Sequence, residues 1–220
     1  MPDLPLRVHS DTGATLRWTH RPAAPRAAVL LLHGGQAHGS SPTSWRQLSM
    51  ARVYPFAGAI ARRGGGGIAV AFLRYAVRGW NDAAPVRDAR WALTQIRGEL
   101  PGMPIGVAGY SMGGRTALRL CGDPGVASLV TLAAWADARD VAMWQPRRGL
   151  PVLMMHGSAD RVTDPRGTEL AARTLRSGGA EVDVVTVEGD THAMLRQART
   201  WHGRTAEHLA ATLLTAPTPR

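Results

Sequence analysis

Residues 104–120 take the chain from strand to helix across one sharp turn, and this transition limits the fold more than any other stretch. An apolar run, Pro104-Ile105-Gly106-Val107-Ala108, leads into Gly109-Tyr110-Ser111-Met112-Gly113. A helix-forming stretch, Gly114-Arg115-Thr116-Ala117-Leu118-Arg119-Leu120, follows. Glycines two residues before and two after Ser111 let the backbone reverse without Cβ clashes. The serine then stands at the turn, beside a helix N-terminus whose free N–H groups face developing negative charge. A serine between a strand and a helix in this way occupies a nucleophile elbow.

The rest of the chain alternates in the same manner. Residues 6–10 and 15–20 read as an opening hairpin around Asp11-Thr12-Gly13. Residues 27–32 are continuously apolar, as a central parallel strand requires. Residues 44–63 read as a helix ending in Gly64-Gly65-Gly66-Gly67, a flexible turn. A strand at 68–75 precedes a helix at 82–100, with Val86, Ala89, Leu93 and Ile96 on one face and Pro101-Gly102 beyond its stop. Strands at 126–134 and 152–156, a helix at 166–177, an alternating strand at 181–187 and a mostly helical stretch at 192–214 complete the pattern. Strands separated by helices predict a doubly wound, mostly parallel sheet flanked by helices. No linker or repeat divides it, so 1–215 is expected to be one domain and 216–220 a loose tail.

All 26 basic residues are arginine, and the formal net charge is +10. The arginines are scattered and form no phosphate-binding stripe, so no nucleic-acid partner is expected. No apolar run approaches the ~20 residues that span a bilayer. Residues 1–5 lack the basic start and apolar block of a signal peptide. The single cysteine, Cys121, fits a reducing interior and reads as a small core residue. A cytoplasmic protein without a membrane or a cofactor is therefore expected. Histidines and carboxylates show no zinc-ligand spacing, and the glycine run lacks the lysine and Ser/Thr of a P-loop.

Four short strings fall just past strand ends, where open α/β sheets bind ligands. They are His33-Gly34-Gly35-Gln36, the elbow, His156-Gly157-Ser158-Ala159-Asp160 and Gly189-Asp190-Thr191-His192. Their order and positions resemble the α/β-hydrolase fold superfamily over nearly the whole chain. The resemblance implies a catalytic set of Ser111 as nucleophile, His192 as base and Asp160 as the acid that orients it. It also implies an oxyanion hole built from the N–H of Met112 and one in the loop after His33, either Gly35 or Gln36. The implied partner is a small-molecule acyl substrate, with oligomeric state left open.

Rivals for these roles are visible. Asp137 follows the strand at 126–134, where some superfamily members carry their acid. Asp164 and Asp190 read as helix caps or turn formers. Asp82 and Asp88, at the start of a helix, suit its dipole. His33 and His156 read as loop anchors beside their glycines, and His38, His202 and His208 as surface or packing residues. Gln36, Tyr110 and Trp135 are the candidate substrate contacts; Trp80, Trp135 and Trp144 suit a pocket wall or core packing equally.

The string from His156 to Pro165 is similar to that of monoacylglycerol-lipase and lysophospholipase members. The same region also resembles dienelactone-hydrolase-like and prolyl-oligopeptidase-like ones. Only a short segment, 137–151, occupies the place of the helical cap found in many relatives, so a lidless hydrolase is expected. A carboxylic-ester hydrolase comes first. A thioesterase, acyltransferase or amidase-like relative would use the same acyl-enzyme, and a non-catalytic binding module would need no intact Ser/Asp/His set.

Overall fold

The structure is a computed structural model that describes residues 6–215; the expected tail, 216–220, lies outside the described residues. Among the described residues, eight strands form one sheet: β1 (Leu6–Val8), β2 (Thr15–His20), β3 (Ala27–Leu32), β4 (Ile68–Arg74), β5 (Ile105–Tyr110), β6 (Val126–Leu132), β7 (Pro151–Gly157) and β8 (Glu181–Val187). Their order is β1-β2-β4-β3-β5-β6-β7-β8. β1 and β2 pair antiparallel with their neighbours, and β4 through β8 run parallel.

Helices α1 (Leu48–Arg63) and α5 (Ala198–Leu214) cover one face, whereas α2 (Ala84–Glu99), α3 (Met112–Leu118) and α4 (Pro165–Ser177) cover the other. β3 shows why a central strand is apolar throughout. Val29 and Leu31 pack with Phe56, Trp201 and Leu209, while Ala28, Leu30 and Leu32 pack with the α2–α3 layer. Both faces are buried, so neither can be polar.

Three helix starts differ from expectation. Residues 44–47 form turns before α1, and residues 192–197 form turns before α5. Residues 81–83 have positive φ (39°, 55° and 65°), which turns the chain before α2 and places Asp82 outside that helix. Asp88 does not serve the helix dipole. Its buried carboxylate accepts from Ala76 N–H (2.9 Å) and Thr12 Oγ1 (3.1 Å), pinning the loop after β4. Between β6 and β7 the chain forms only a 3₁₀ turn, Ala138–Met143, with no inserted cap. Among the described residues, no helix is long and apolar enough to cross a membrane.

Candidate active site

Ser111 leaves β5 at φ 55°, ψ −115° and opens α3. The turn is compatible with close packing because both flanking glycines lack a side chain. A Cβ at Gly109 would collide with Gly113 O, and one at Gly113 with Leu32 O. The backbone of Ser111 is held by the end of β6 and the turn after it, through Ser111 N–H to Leu132 O (2.9 Å) and Trp135 N–H to Ser111 O (3.1 Å).

Asp160 comes from the loop after β7 and His192 from the loop after β8. The two loops are sewn together by Ala159 N–H to Asp190 O (3.0 Å) and Ser158 N–H to Val187 O (3.1 Å). The carboxylate of Asp190, fully buried, gathers the N–H groups of Thr191 and Gln197 and the indole N–H of Trp201, at 2.7, 3.0 and 2.8 Å. It thereby shapes the turn that carries His192. Asp164 caps α4 by accepting from Arg166 N–H.

These loops bring Ser111, His192 and Asp160 into one line. His192 Nε2 lies 3.1 Å from Ser111 Oγ, and Nδ1 lies 2.8 Å from Asp160 Oδ2. A carboxylate only accepts, so Nδ1 carries the hydrogen and Nε2 presents its lone pair to the serine. Burial works to raise the pKa of Asp160. Hydrogen bonds from His156 and His192, with the Val162 and Thr163 N–H groups, outweigh it and hold the acid far below its ordinary range. Thr163 was not foreseen; its Oγ1 lies 2.9 Å from Asp160 Oδ2 and 3.2 Å from His192 Nδ1.

Asp137 points elsewhere. It accepts from Arg139 (2.6 Å) and faces Arg115 (3.4 Å), and its pairing with Arg139 draws its pKa down to about 2. Arg115 itself lies between the rings of Trp80 and Trp135, at 4.1 and 4.2 Å, and pairs with Asp140 at 2.6 Å. Trp135 is therefore engaged by a buried guanidinium. Tyr110 is only 2% exposed and packs against the His192 ring, 5.1 Å between centroids, while its hydroxyl accepts from Arg52 (3.2 Å). It supports the imidazole from behind and offers little surface to a ligand.

His33 anchors the loop that opens the opposite wall. Tyr75 N–H donates to its Nε2 (3.2 Å), so Nδ1–H donates to Gly34 O (2.6 Å), and burial draws the ring's pKa down to about 4. Gly35 sits against the Met112 side chain and Arg78 O, with no room for a Cβ. Gln36 is exposed, and its N–H donates to Arg78 O (2.9 Å). Two open depressions border the line of residues. One, of about 580 Å³, lies beside His192 and is lined by Arg52, Arg161, Val162 and Arg196 among others. The second, of about 600 Å³, lies beside Gly35 and Gln36 and includes Arg46, Leu48 and Arg78. Cys121 is buried, and burial pushes its thiol up to about 12, which removes it from nucleophilic chemistry.

Solved structures share the whole architecture. A serine hydrolase without lid from Xanthomonas campestris matches with a TM-score of 0.74 at 17% identity, over 99% of this chain and 98% of that one. An alpha-beta serine hydrolase homologue from Coxiella burnetii gives 0.69 at 16%, over 93% and 97%. The butyrate-bound esterase 2 of Thermogutta terrifontis gives 0.70 at 17%, over 98% and 97%. At such identities the likeness is one of fold: a lidless α/β hydrolase. No curated protein sequence matches the chain significantly. The family model of dienelactone hydrolases matches residues 79–215, more than half the chain and the part that carries Ser111, Asp160 and His192. The protein belongs to the dienelactone hydrolase family and is a hydrolase of the α/β fold.

Proposed function

We propose that the protein is a serine-dependent carboxylic-ester hydrolase working through an acyl-enzyme. The observation that carries this reading is the unbroken line from Ser111 Oγ through His192 to Asp160, at 3.1 and 2.8 Å. His192 Nε2 takes the hydroxyl proton as Ser111 Oγ bonds to the substrate carbonyl carbon. Met112 N–H and Gly35 N–H receive the oxyanion; Gln36 is the weaker candidate because its N–H already has an acceptor. The imidazolium then returns the proton to the departing alcohol, leaving the acyl-serine. Water repeats the sequence and releases the acid.

The substrates we infer are small, soluble esters, favoured where they carry an acidic group. Arg52, Arg161 and Arg196 line the depression next to His192, toward which the alcohol departs. Among the described residues, no inserted cap covers the site. The 33–43 loop is stitched to the next one by Gln36 N–H to Arg78 O, Arg78 N–H to Ser41 O and Thr43 N–H to Ala76 O. Long acyl chains stay partly in water, and each unburied CH₂ forfeits about 0.8 kcal/mol. Esterase 2 of T. terrifontis has been solved with butyrate and with propionate bound, and phosphonylated by cyclosarin; short acyl groups and a phosphonate probe are accordingly the right tests.

The wild-type protein should gain one fluorophosphonate adduct, and Ser111→Ala none. A panel of esters, thioesters and amides of increasing acyl length should give its highest kcat/KM on short esters, with no jump at the solubility limit. Retained turnover in Ser111→Ala removes the proposal. Preference for thioesters or amides, or a steady rise through long chains, replaces its substrate class.

A further inference from the structure

Asp160 carries more partners than the orientation of one imidazole requires. Its Oδ1 accepts from Val162 N–H (2.8 Å) and Thr163 N–H (3.1 Å). Its Oδ2 faces His192 Nδ1 (2.8 Å), Thr163 Oγ1 (2.9 Å) and His156 Nε2 (3.2 Å). His156 is 3% exposed and sits next to the last residue of β7. Its other nitrogen, Nδ1, lies 2.7 Å from Thr168 Oγ1 in the first turn of α4, and Thr168 is itself buried. His156 Nε2 also lies 3.3 Å from Thr163 O, and because the carbonyl and the carboxylate can both only accept, the ring carries hydrogen on Nε2 and shares it between them. In the neutral ring Nδ1 then offers a lone pair, and the Thr168 hydroxyl donates to it. One tautomer and one ring orientation satisfy both ends.

We infer that His156, held by Thr168, is a positioning residue: a second imidazole on the acid that fixes the carboxylate plane and limits how strongly Asp160 draws the proton of His192. The inference rests on the Ser111–His192–Asp160 reading above. The physical argument is charge sharing. Each donor on Oδ2 takes part of the carboxylate's negative charge, and the share left for His192 decides how far its cationic form is favoured. Without His156, Oδ2 becomes a stronger acceptor for His192 and less well oriented. The other charged neighbours have partners of their own, although Asp164 also feels the His156 ring. Asp190 is turned to Gln197 and Trp201, Asp164 pairs with Arg166, and Glu169 pairs with Arg173. Arg161 lines the open depression on the solvent side, and Tyr110 packs on the far face of His192.

The test is the pH profile of kcat/KM on a short ester, whose acid limb reports the general base of the free enzyme. In His156→Leu the acid limb should move to higher pH by about half a unit or more. Its kcat should fall about tenfold, equivalent to one hydrogen bond to a charged group, with KM within about twofold. His156→Gln restores an N–H donor of similar reach and should bring the acid limb back toward wild type. Thr168→Val, which leaves the ring in place but removes its holder, should shift the limb in the same direction by less. It also carries the test if His156→Leu does not fold. An acid limb that stays at the wild-type pH in the folded variants overturns the inference, as does a His156→Gln profile matching that of His156→Leu. Ser111→Ala separates the two readings. If it retains turnover, the triad itself falls; if it is inactive while the profiles do not move, only the role of His156 does.

Discussion

Ser111 is kept in a conformation that costs a non-glycine residue about 1–3 kcal/mol, and the surroundings leave it no other. The end of β6, the turn after it and the first turn of α3 hold its N–H and C=O, and Gly109 and Gly113 let the neighbouring backbones close in. The same economy separates the two candidate acids. Asp160 and Asp137 both follow strand ends, but Asp137 spends its oxygens on Arg139 and Arg115. Asp160→Asn should therefore lower kcat by about 10³–10⁴, since an amide favours the wrong imidazole tautomer and cannot stabilise the cation. Asp137→Asn should stay within a few-fold. Steady-state kinetics on one ester decides, and the reverse ranking would transfer the role to Asp137. The meeting of Ser111, Asp160 and His192 was legible in the sequence because each belongs to a short string at a strand end. Thr163 and the contact of His156 with the acid were not, since both depend on how one loop folds back on itself. Tyr110 and Trp135 drew notice in the sequence for their nearness to Ser111 and to a strand end; in the structure Tyr110 packs on the His192 ring and Trp135 on the Arg115 guanidinium.

Strands were legible almost to the residue because burial on both faces leaves a continuous apolar run, as in β3 and β4. Helix starts were less so, because tertiary partners compete for the first N–H groups. Residues 192–197 have acceptable helix-forming side chains, yet Asp190 takes the Thr191 and Gln197 N–H groups and winds the segment into turns ahead of α5. This carboxylate is a hinge pin between an element and the chemistry. Burial works to raise its pKa, and the N–H groups of Gln197, Trp201, Thr191 and Arg196 together bring it below the ordinary range. Asp190→Asn keeps the shape but swaps one acceptor for a donor facing N–H groups. We expect a loss of about 1–3 kcal/mol in urea unfolding and faster amide exchange at Gln197 and Trp201. We also expect a lower kcat, because His192 lies two residues away. A variant with the wild-type urea midpoint and exchange rates would mean that the turn is set by something other than this carboxylate.

Over the whole molecule, charge and buried histidine act together when the pH falls. The chain has no lysine, and 26 arginines stand against 16 acidic residues that lose their charge as the pH falls. Self-repulsion alone then weakens the folded state, and His33 adds a specific contribution. Its neutral form is required, because Nε2 accepts from Tyr75 N–H; burial holds its folded pKa at about 4 against an ordinary 6.5. Between those values the unfolded chain binds the proton and the folded one does not, so stability rises with pH across the window. The contribution is complete above pH 6.5, is lost as the pH falls toward 4, and levels off below. The span corresponds to about 3 kcal/mol. His202 and His208, also lowered by burial, act in the same sense, whereas Asp88, raised by burial, acts in the opposite one. The difference between wild type and His33→Gln isolates the term, since glutamine offers an acceptor to Tyr75 but does not titrate. Urea midpoints measured from pH 7 to pH 4 should converge: the variant starts less stable and loses less. Parallel curves would show that His33 titrates alike in both states. The consequence reaches the site, because the bond that His33 loses on protonation ties the Gly34–Gly35 turn to the end of β4. Ester hydrolysis should therefore fail on the acid side through the oxyanion wall as well as through protonation of His192. Only the first of these losses should be accompanied by a falling urea midpoint and be softened in His33→Gln.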